Sequence, residues 1–313
     1  MHTRFNAFLL PAVLVLPVWA GPYVLKEQFV GQGFLDAFTW QTIDDPTHGR
    51  VNYVDQATAL QKNLTFASDT KFLMRADDQT VVSPAARGRD SIRILSNEAY
   101  SEGIYILDVS HMPEGCSTWP AFRTKDASSG SVIDIIEGVN IGASDLVSLH
   151  TTPGCLVPQN RLQTGTTVST NCSSGQGCGT SLRNGTYGDQ FNKAGGGYFA
   201  MRRDKVEGIS VWFLPRDTFP LSDTPEPTFL QALPPDAYFP VGSDCDYDQH
   251  FKPQQIMIDL TFCGDWAGAD WTTSSCASLG PTCNAFVDNN PSAFTSAYWE
   301  INSLKIYIPS EQS

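Results

Sequence analysis

The sequence predicts an all-β protein, a β-sandwich of antiparallel sheets of the jelly-roll kind. Three observations carry this. Apolar residues come in short runs, the runs are separated by Gly, Pro, Asn, Asp and Ser, and no window sustains a helical period over several turns. The candidate strands are residues 91–95, 103–109, 132–136, 146–150, 198–202, 209–214, 255–260 and 298–308.

In chain order, a weakly basic start at Met1 to Arg4 precedes the mostly apolar residues 5–18 and the small-x-small site Val18-Trp19-Ala20, so residues 1–20 read as a signal peptide. The run is too short for a membrane anchor and Asn6 interrupts it, and no later stretch reaches spanning length. Residues 21–313 are expected to form one soluble, secreted, monomeric domain, because a chain of 313 residues supplies one substantial core without demanding several.

In the strand at 91–95, Arg93 alternates with Ile92 and Ile94 and therefore faces away from their side. The segment Val132-Ile133-Asp134-Ile135-Ile136-Glu137 reads as a buried strand presenting acids at one end. Strict alternation places Val132, Asp134 and Ile136 on one face and Glu137 on the other, and one extra residue in a β-bulge would bring Glu137 round beside Asp134. Asp134, between aliphatic neighbours, is a costly charge unless a partner hydrogen-bonds it. His150 ends the next strand.

Residues 165–197, rich in Gly, Ser, Thr and Asn, read as a long loop pinned by Cys172 and Cys178. The run 209–214 is apolar on both faces towards its end, as for a strand covered by a sheet on one side and a loop on the other. Residues 215–240, with repeated prolines, form a second surface connection. Alternating aliphatics at 304–308 suit an outer strand with one face in the core.

The formal net charge is −13, and without residues 1–20 there remain 19 Lys and Arg against 33 acids, or −14. That excess repels phosphate backbones and anionic lipid, which argues against nucleic acid and leaves neutral partners compatible. All eight cysteines lie after residue 20, and an even count behind a signal peptide favours four disulfides. No C-x-x-C pair and no His at ligand spacing supports a metal site, and no cofactor motif is present. The pairing is not readable from spacing. Sequons begin at Asn63, Asn171 and Asn184, with Asn171 a poor acceptor if Cys172 is bridged.

The acid segment resembles the E-x-D-x-x-E signature of glycoside hydrolase family 16. Further blocks carry the likeness along the chain in order: Gly88-Arg89-Asp90, Trp119-Pro120-Ala121-Phe122, Ser148-Leu149-His150, Phe262-Cys263-Gly264-Asp265-Trp266 and Tyr298-Trp299-Glu300-Ile301-Asn302. They look like fungal laminarinase-type endo-1,3(4)-β-glucanases. The resemblance implies a concanavalin A-like jelly roll of two antiparallel sheets, with a cleft that takes β-1,3 or mixed β-1,3(1,4) glucans.

In that pattern Glu137 matches the acid/base, Asp134 the middle acid that tunes it, and His150 a cleft histidine. Trp119, Trp266 and Arg93 are the candidate sugar contacts, aromatic rings stacking on pyranose faces. Two departures fall within residues 120–132. Val132 stands where the nucleophilic Glu belongs, and Arg123 replaces the second Trp of Trp-Pro-Ala-Phe-Trp, while the loop that follows, residues 124–131, is shorter than the family's and lacks its further Trp-Pro. Arg123 is expected to be a surface replacement. A retaining glycosidase needs two carboxyls about 5 to 5.5 Å apart, and valine supplies neither attack nor protonation. Neither Asp126 nor Glu114 is expected to reach attacking distance. Three functions stay open: an enzyme with impaired hydrolysis or with a misassembled gene segment at 120–132, a non-catalytic β-glucan-binding protein, and a structural wall protein.

Overall fold

The computed structural model describes residues 23–218, 227–230 and 232–310. Residues 1–20, read from the sequence as a signal peptide, lie outside them, as does part of the proline-rich connection. Two large antiparallel sheets pack face to face. One runs in the order Thr166–Ser169, Cys178–Asn184, Ser144–His150, Val132–Glu137, Thr118–Lys125, Gln254–Phe262, Arg93–Tyr100 and Phe38–Trp40. The other runs Ala237–Phe239, Gly208–Pro215, Gly197–Asp204, Gly103–His111, Tyr298–Pro309, Phe72–Arg75 and Thr65–Ala67, with Tyr23–Phe29 also paired to Tyr298–Pro309.

The core lies between them. Phe122, Ile133, Val147, Leu149, Ile256 and Ile258 from the first sheet meet Leu107, Phe199, Met201, Leu304 and Ile306 from the second. Each such side chain taken from water is worth about 1.5–3 kcal/mol. Trp299 joins the layers directly, its indole N–H donating to the carbonyl of Asp259 at 3.0 Å.

All eight predicted strands are present. The strand Gly208–Pro215 is covered on both faces as its pattern requires: Ile209, Val211 and Phe213 enter the main core, while Trp212 and Leu214 pack against Leu230 and Leu233 of the following connection. Two readings need correction, and one strand went unread. Residues 165–197 are no plain loop; they contribute the strands Thr166–Ser169 and Cys178–Asn184 and a helix at Gly188–Lys193, because Thr166, Thr167 and Val168 are β-branched residues that suit an edge strand. The strand Tyr298–Pro309 has its predicted core face but lies inside its sheet, between Gly103–His111 and Phe72–Arg75. Thr118–Lys125, hidden by Pro120, is a central strand. Its pairing with Val132–Glu137 stops at Ala121, so at Pro120 it has a ladder neighbour on one side only.

The eight cysteines form four disulfides, Cys116–Cys276, Cys155–Cys245, Cys172–Cys178 and Cys263–Cys283. No helix among the described residues is long and apolar enough to cross a membrane.

Candidate active site

The strand Val132–Glu137 organises the site. Against Thr118–Lys125 it pairs Val132 with Lys125 and Asp134 with Arg123, then slips so that Ile136 meets Phe122 and Glu137 meets Ala121. Ile135 is thus the extra residue of the predicted β-bulge. Ile133, Ile135 and Ile136 all enter the core, and Glu137 emerges on the same face as Val132. The backbone N–H of Glu137 donates to Asp145 Oδ1 at 2.8 Å, which fixes the bulge from below.

Val132 and Glu137 line a cleft of about 570 Å³. One wall carries Trp119, Trp266, Thr47 and Asp265; the other carries Leu146, Ser148, His150, Val168, Ser169 and Gln176. Leu146, Ser148 and His150 come from the strand Ser144–His150, and Val168, Ser169 and Gln176 from the edge hairpin that the sequence disguised as a loop. Trp266 belongs to the turn Gly264–Gly268, which the Cys263–Cys283 bridge anchors. Gly264 has φ +63°, and a Cβ there would lie 2.4 Å from the carbonyl oxygen of Thr47, so only glycine lets this turn close against the loop beside it. His48 and Asp265 pair across the two segments at 2.9 Å. Trp119, nearly buried, meets Trp266 edge to face at 5.8 Å and donates its indole N–H to Glu137 Oε1 at 3.1 Å.

Arg123 is not a surface replacement. Phe122 and Thr124 turn into the core, so Arg123 must take the cleft face, where it is mostly buried. Its Nε lies 3.3 Å from Asp134 Oδ1, and its Nη2 lies 3.5 Å from Glu137 Oε1 and 3.8 Å from Asp259 Oδ1. One guanidinium therefore serves three buried carboxyls. Asp134 has no hydrogen-bond partner among the described residues; its charge partners are Arg123 and His150, whose Nε2 stands 3.5 Å from Asp134 Oδ2.

Burial pushes the Glu137 carboxyl up to about 7, with Asp134 adding to the effect and Arg123 opposing it. Burial likewise raises Asp134, to about 6, against the pull of Arg123. Asp145 is driven well above the carboxylate range, chiefly by burial. His150 is lowered by burial, partly offset by Glu137. A carboxyl that keeps its proton near neutral pH, beside an indole N–H and open to a cleft, is equipped as a general acid.

Beyond Val132 the cleft continues into a recess of about 60 Å³, bounded by Arg93, Arg123, Lys125, Val132, Asp259 and Asp45 among others. Arg93 is almost fully buried there and already engaged, donating from Nη1 to Asp259 Oδ2 at 2.7 Å and from Nε to Gln41 Oε1 at 2.9 Å. Asp126 accepts hydrogen bonds from Ser128 and Ser129 within its own turn, and Glu114 accepts one from Asn192; neither lines the cleft. No group of three possible metal ligands occurs among the described residues.

The family model described as an XgeA-like catalytic GH16 domain matches residues 38–307. The chain belongs to glycoside hydrolase family 16. This family 16 chain is 42% identical over 301 residues to a Schizosaccharomyces pombe protein named "Probable glycosidase", covering 92% of the chain and 70% of the relative. It is 37% identical to an endo-1,3(4)-β-glucanase of Emericella nidulans over 92% of the chain, which spans 48% of that relative's length. Among solved structures, GH16 laminarinase 16A of Phanerochaete chrysosporium, crystallised with β-glucans in donor and acceptor sites, is similar with a TM-score of 0.84 and 42% identity, covering 92% of this chain and all of that one. The jelly-roll expectation holds with it.

The sequence reasoning named Glu137, Asp134, His150, Trp119, Trp266 and Arg93; Glu137, His150, Trp119 and Trp266 line one cleft, Asp134 is buried beside Arg123 and His150, and Arg93 lies in the recess, engaged by Asp259 and Gln41. It missed Asp145, Lys125 and Asp259. Asp259 was within reach, being an acid inside the apolar run Ile256-Met257-Ile258-Asp259-Leu260, the same signal that singled out Asp134.

Proposed function

We propose that the chain is a secreted β-glucan-binding member of family 16 whose glycosidic hydrolysis is impaired at its first step. The cleft takes β-1,3 or mixed β-1,3(1,4) glucan, Trp266 and Trp119 stack on its sugar rings, and Glu137 is placed to protonate a leaving oxygen. One observation carries the impairment: Val132, two residues before Asp134 and on the same face as Glu137, offers no nucleophile.

No other carboxyl is free to take over among those lining the cleft and its recess. Asp265 is paired with His48. Asp45 Oδ2 accepts from Thr47, Thr261 and the backbone N–H of Gly49. Asp259 is held by Arg93 and neighboured by Arg123. Losing the nucleophile of a cooperative site costs on the order of 10⁴ to 10⁶ in rate, by analogy with triads. Export by residues 1–20 suits the four disulfides, and exposed Asn63 and Asn184 suit glycan attachment.

The test sets retention on insoluble β-1,3-glucan beside reducing-sugar release from laminarin. Retention with at most trace release is expected. Rapid release overturns the impairment, and absence of retention on any β-glucan overturns the cleft's assignment.

A further inference from the structure

We propose that the cleft is blind beyond Val132, so that it captures the non-reducing end of a β-1,3-glucan chain and not the chain's interior. This rests on the assignment of β-glucan to the cleft made above and adds which part of the chain is held.

The burial of the floor decides it. Along the strand Gln254–Phe262, Ile256 and Ile258 turn into the core, so Met257, Asp259 and Thr261 face the side on which a glucan would lie. A floor that carries sugar has to be open, yet these three are at most 4% exposed, and Arg93 beside them is 5% exposed. On the other side of Val132 the cleft is open, with Val168 61% exposed.

The segment 41–53 is what closes the first side, and it is tied down along its length. Asp45 Oδ2 accepts from Thr261 Oγ1 at 2.7 Å, and the backbone N–H of Arg50 donates to the carbonyl of Phe262 at 2.7 Å. Gln41 Oε1 accepts from Arg93 Nε at 2.9 Å, and the Tyr53 ring faces the same guanidinium at 5.7 Å. From the outer side Arg87 holds Asp44 at 2.9 Å and the carbonyl of Thr42 at 3.0 Å. These ties make the segment a bar across the floor.

What the bar leaves is the recess of about 60 Å³. At roughly 10–15 Å³ for each water it has space for a few waters, but not for the about eleven non-hydrogen atoms of a glucosyl unit. The main cavity of about 570 Å³ lies within the range of about 300–1,000 Å³ common for small-molecule sites, enough for a short run of sugars.

The direction of the chain follows from Glu137, which lines the main cavity only, whereas Val132 lines both spaces. The leaving oxygen that Glu137 would protonate belongs to the unit on the reducing side of the scissile bond, so that side extends into the main cavity. The unit over Val132 then turns its position 3 towards the recess. In a terminal unit that position is a free hydroxyl, which fits beside the Lys125 ammonium. In an interior unit it carries a further ring, which meets the bar.

The test uses the full chain and linear insoluble β-1,3-glucan prepared in three ways. Untreated glucan and glucan reduced with borohydride, which alters the reducing end alone, should retain the protein equally. Reduced glucan then treated with periodate should retain it at least about tenfold more weakly. Periodate opens the terminal ring at its vicinal diol, and interior 1,3-linked rings have none. Full retention after periodate overturns the blind end, and loss after borohydride alone overturns the direction. Failure of the untreated glucan to retain the protein removes instead the β-glucan assignment beneath. In calorimetric titrations, laminari-oligosaccharides should gain affinity only up to about four units, the length the main cavity can hold. A gain that continues through laminariheptaose also overturns the blind end.

Discussion

The Nε of Arg123 lies 3.3 Å from Oδ1 of Asp134, directly across the strand pair that forms the cleft floor. The same guanidinium also faces Glu137 at 3.5 Å and stands 3.8 Å from Asp259, which Arg93 holds more closely at 2.7 Å. Replacing it with leucine would leave buried carboxyls uncompensated. Arg123→Leu is expected to cost about 3–5 kcal/mol at pH 8. At pH 5 the loss should be clearly smaller, because carboxyls already raised by burial then carry their protons. Urea unfolding at the two pH values checks this, and equal losses would contradict it.

Restoring a carboxyl opposite Glu137 is the direct trial of the vacancy. Val132→Glu should raise laminarin cleavage by on the order of 10³-fold or more. The first product should be the β-anomer, since a double displacement retains configuration. Reducing-end assays and early-time NMR read both.

Stability should vary with pH in a direction set by the buried acids. Asp134, Glu137, Asp145 and Asp259 have carboxyls raised in the folded state, chiefly by burial. The stability tied to them is complete below the ordinary carboxylate range and is lost as pH rises through about 6 to 7 and beyond. His111 and His150, lowered by burial, act in the opposite sense, their contribution being present at higher pH and lost as pH falls. Asp145→Asn removes one raised acid and leaves the histidines, so its unfolding free energy should decline less steeply than the parent's between pH 5 and pH 8.

The two cleft tryptophans should separate cleanly. Trp266→Ala is expected to weaken laminari-oligosaccharide binding about tenfold, or about 1.4 kcal/mol, with little change in melting temperature. Trp119 is buried and donates to Glu137, so Trp119→Ala should cost about 3–5 kcal/mol of stability. Calorimetry and thermal melts on both variants give the comparison.

Much of this arrangement was legible before any coordinates. The alternation of Val132, Asp134 and Ile136 with Glu137 out of phase already demanded a bulge, and the register slip after Asp134 supplies it. What stayed hidden has physical causes. Pro120 masked a central strand because one missing N–H is tolerated where a neighbouring strand has ended. The cysteine and glycine content of 165–184 masked an edge hairpin. Arg123 was misjudged because a lone arginine carries no sign of its partners; its role exists only once Asp134 and Asp259, 125 positions apart in the chain, are brought to either side of it.

The turn that presents Trp266 is moored by two sulfur links, Cys263–Cys283 directly and Cys116–Cys276 close behind. Thiol additives in a purification buffer would therefore loosen the aromatic bank of the cleft while leaving both sheets intact. Glucan capture measured in dithiothreitol should read low for a protein whose melting curve still looks folded, so oxidising buffers are the setting in which its affinity is to be judged.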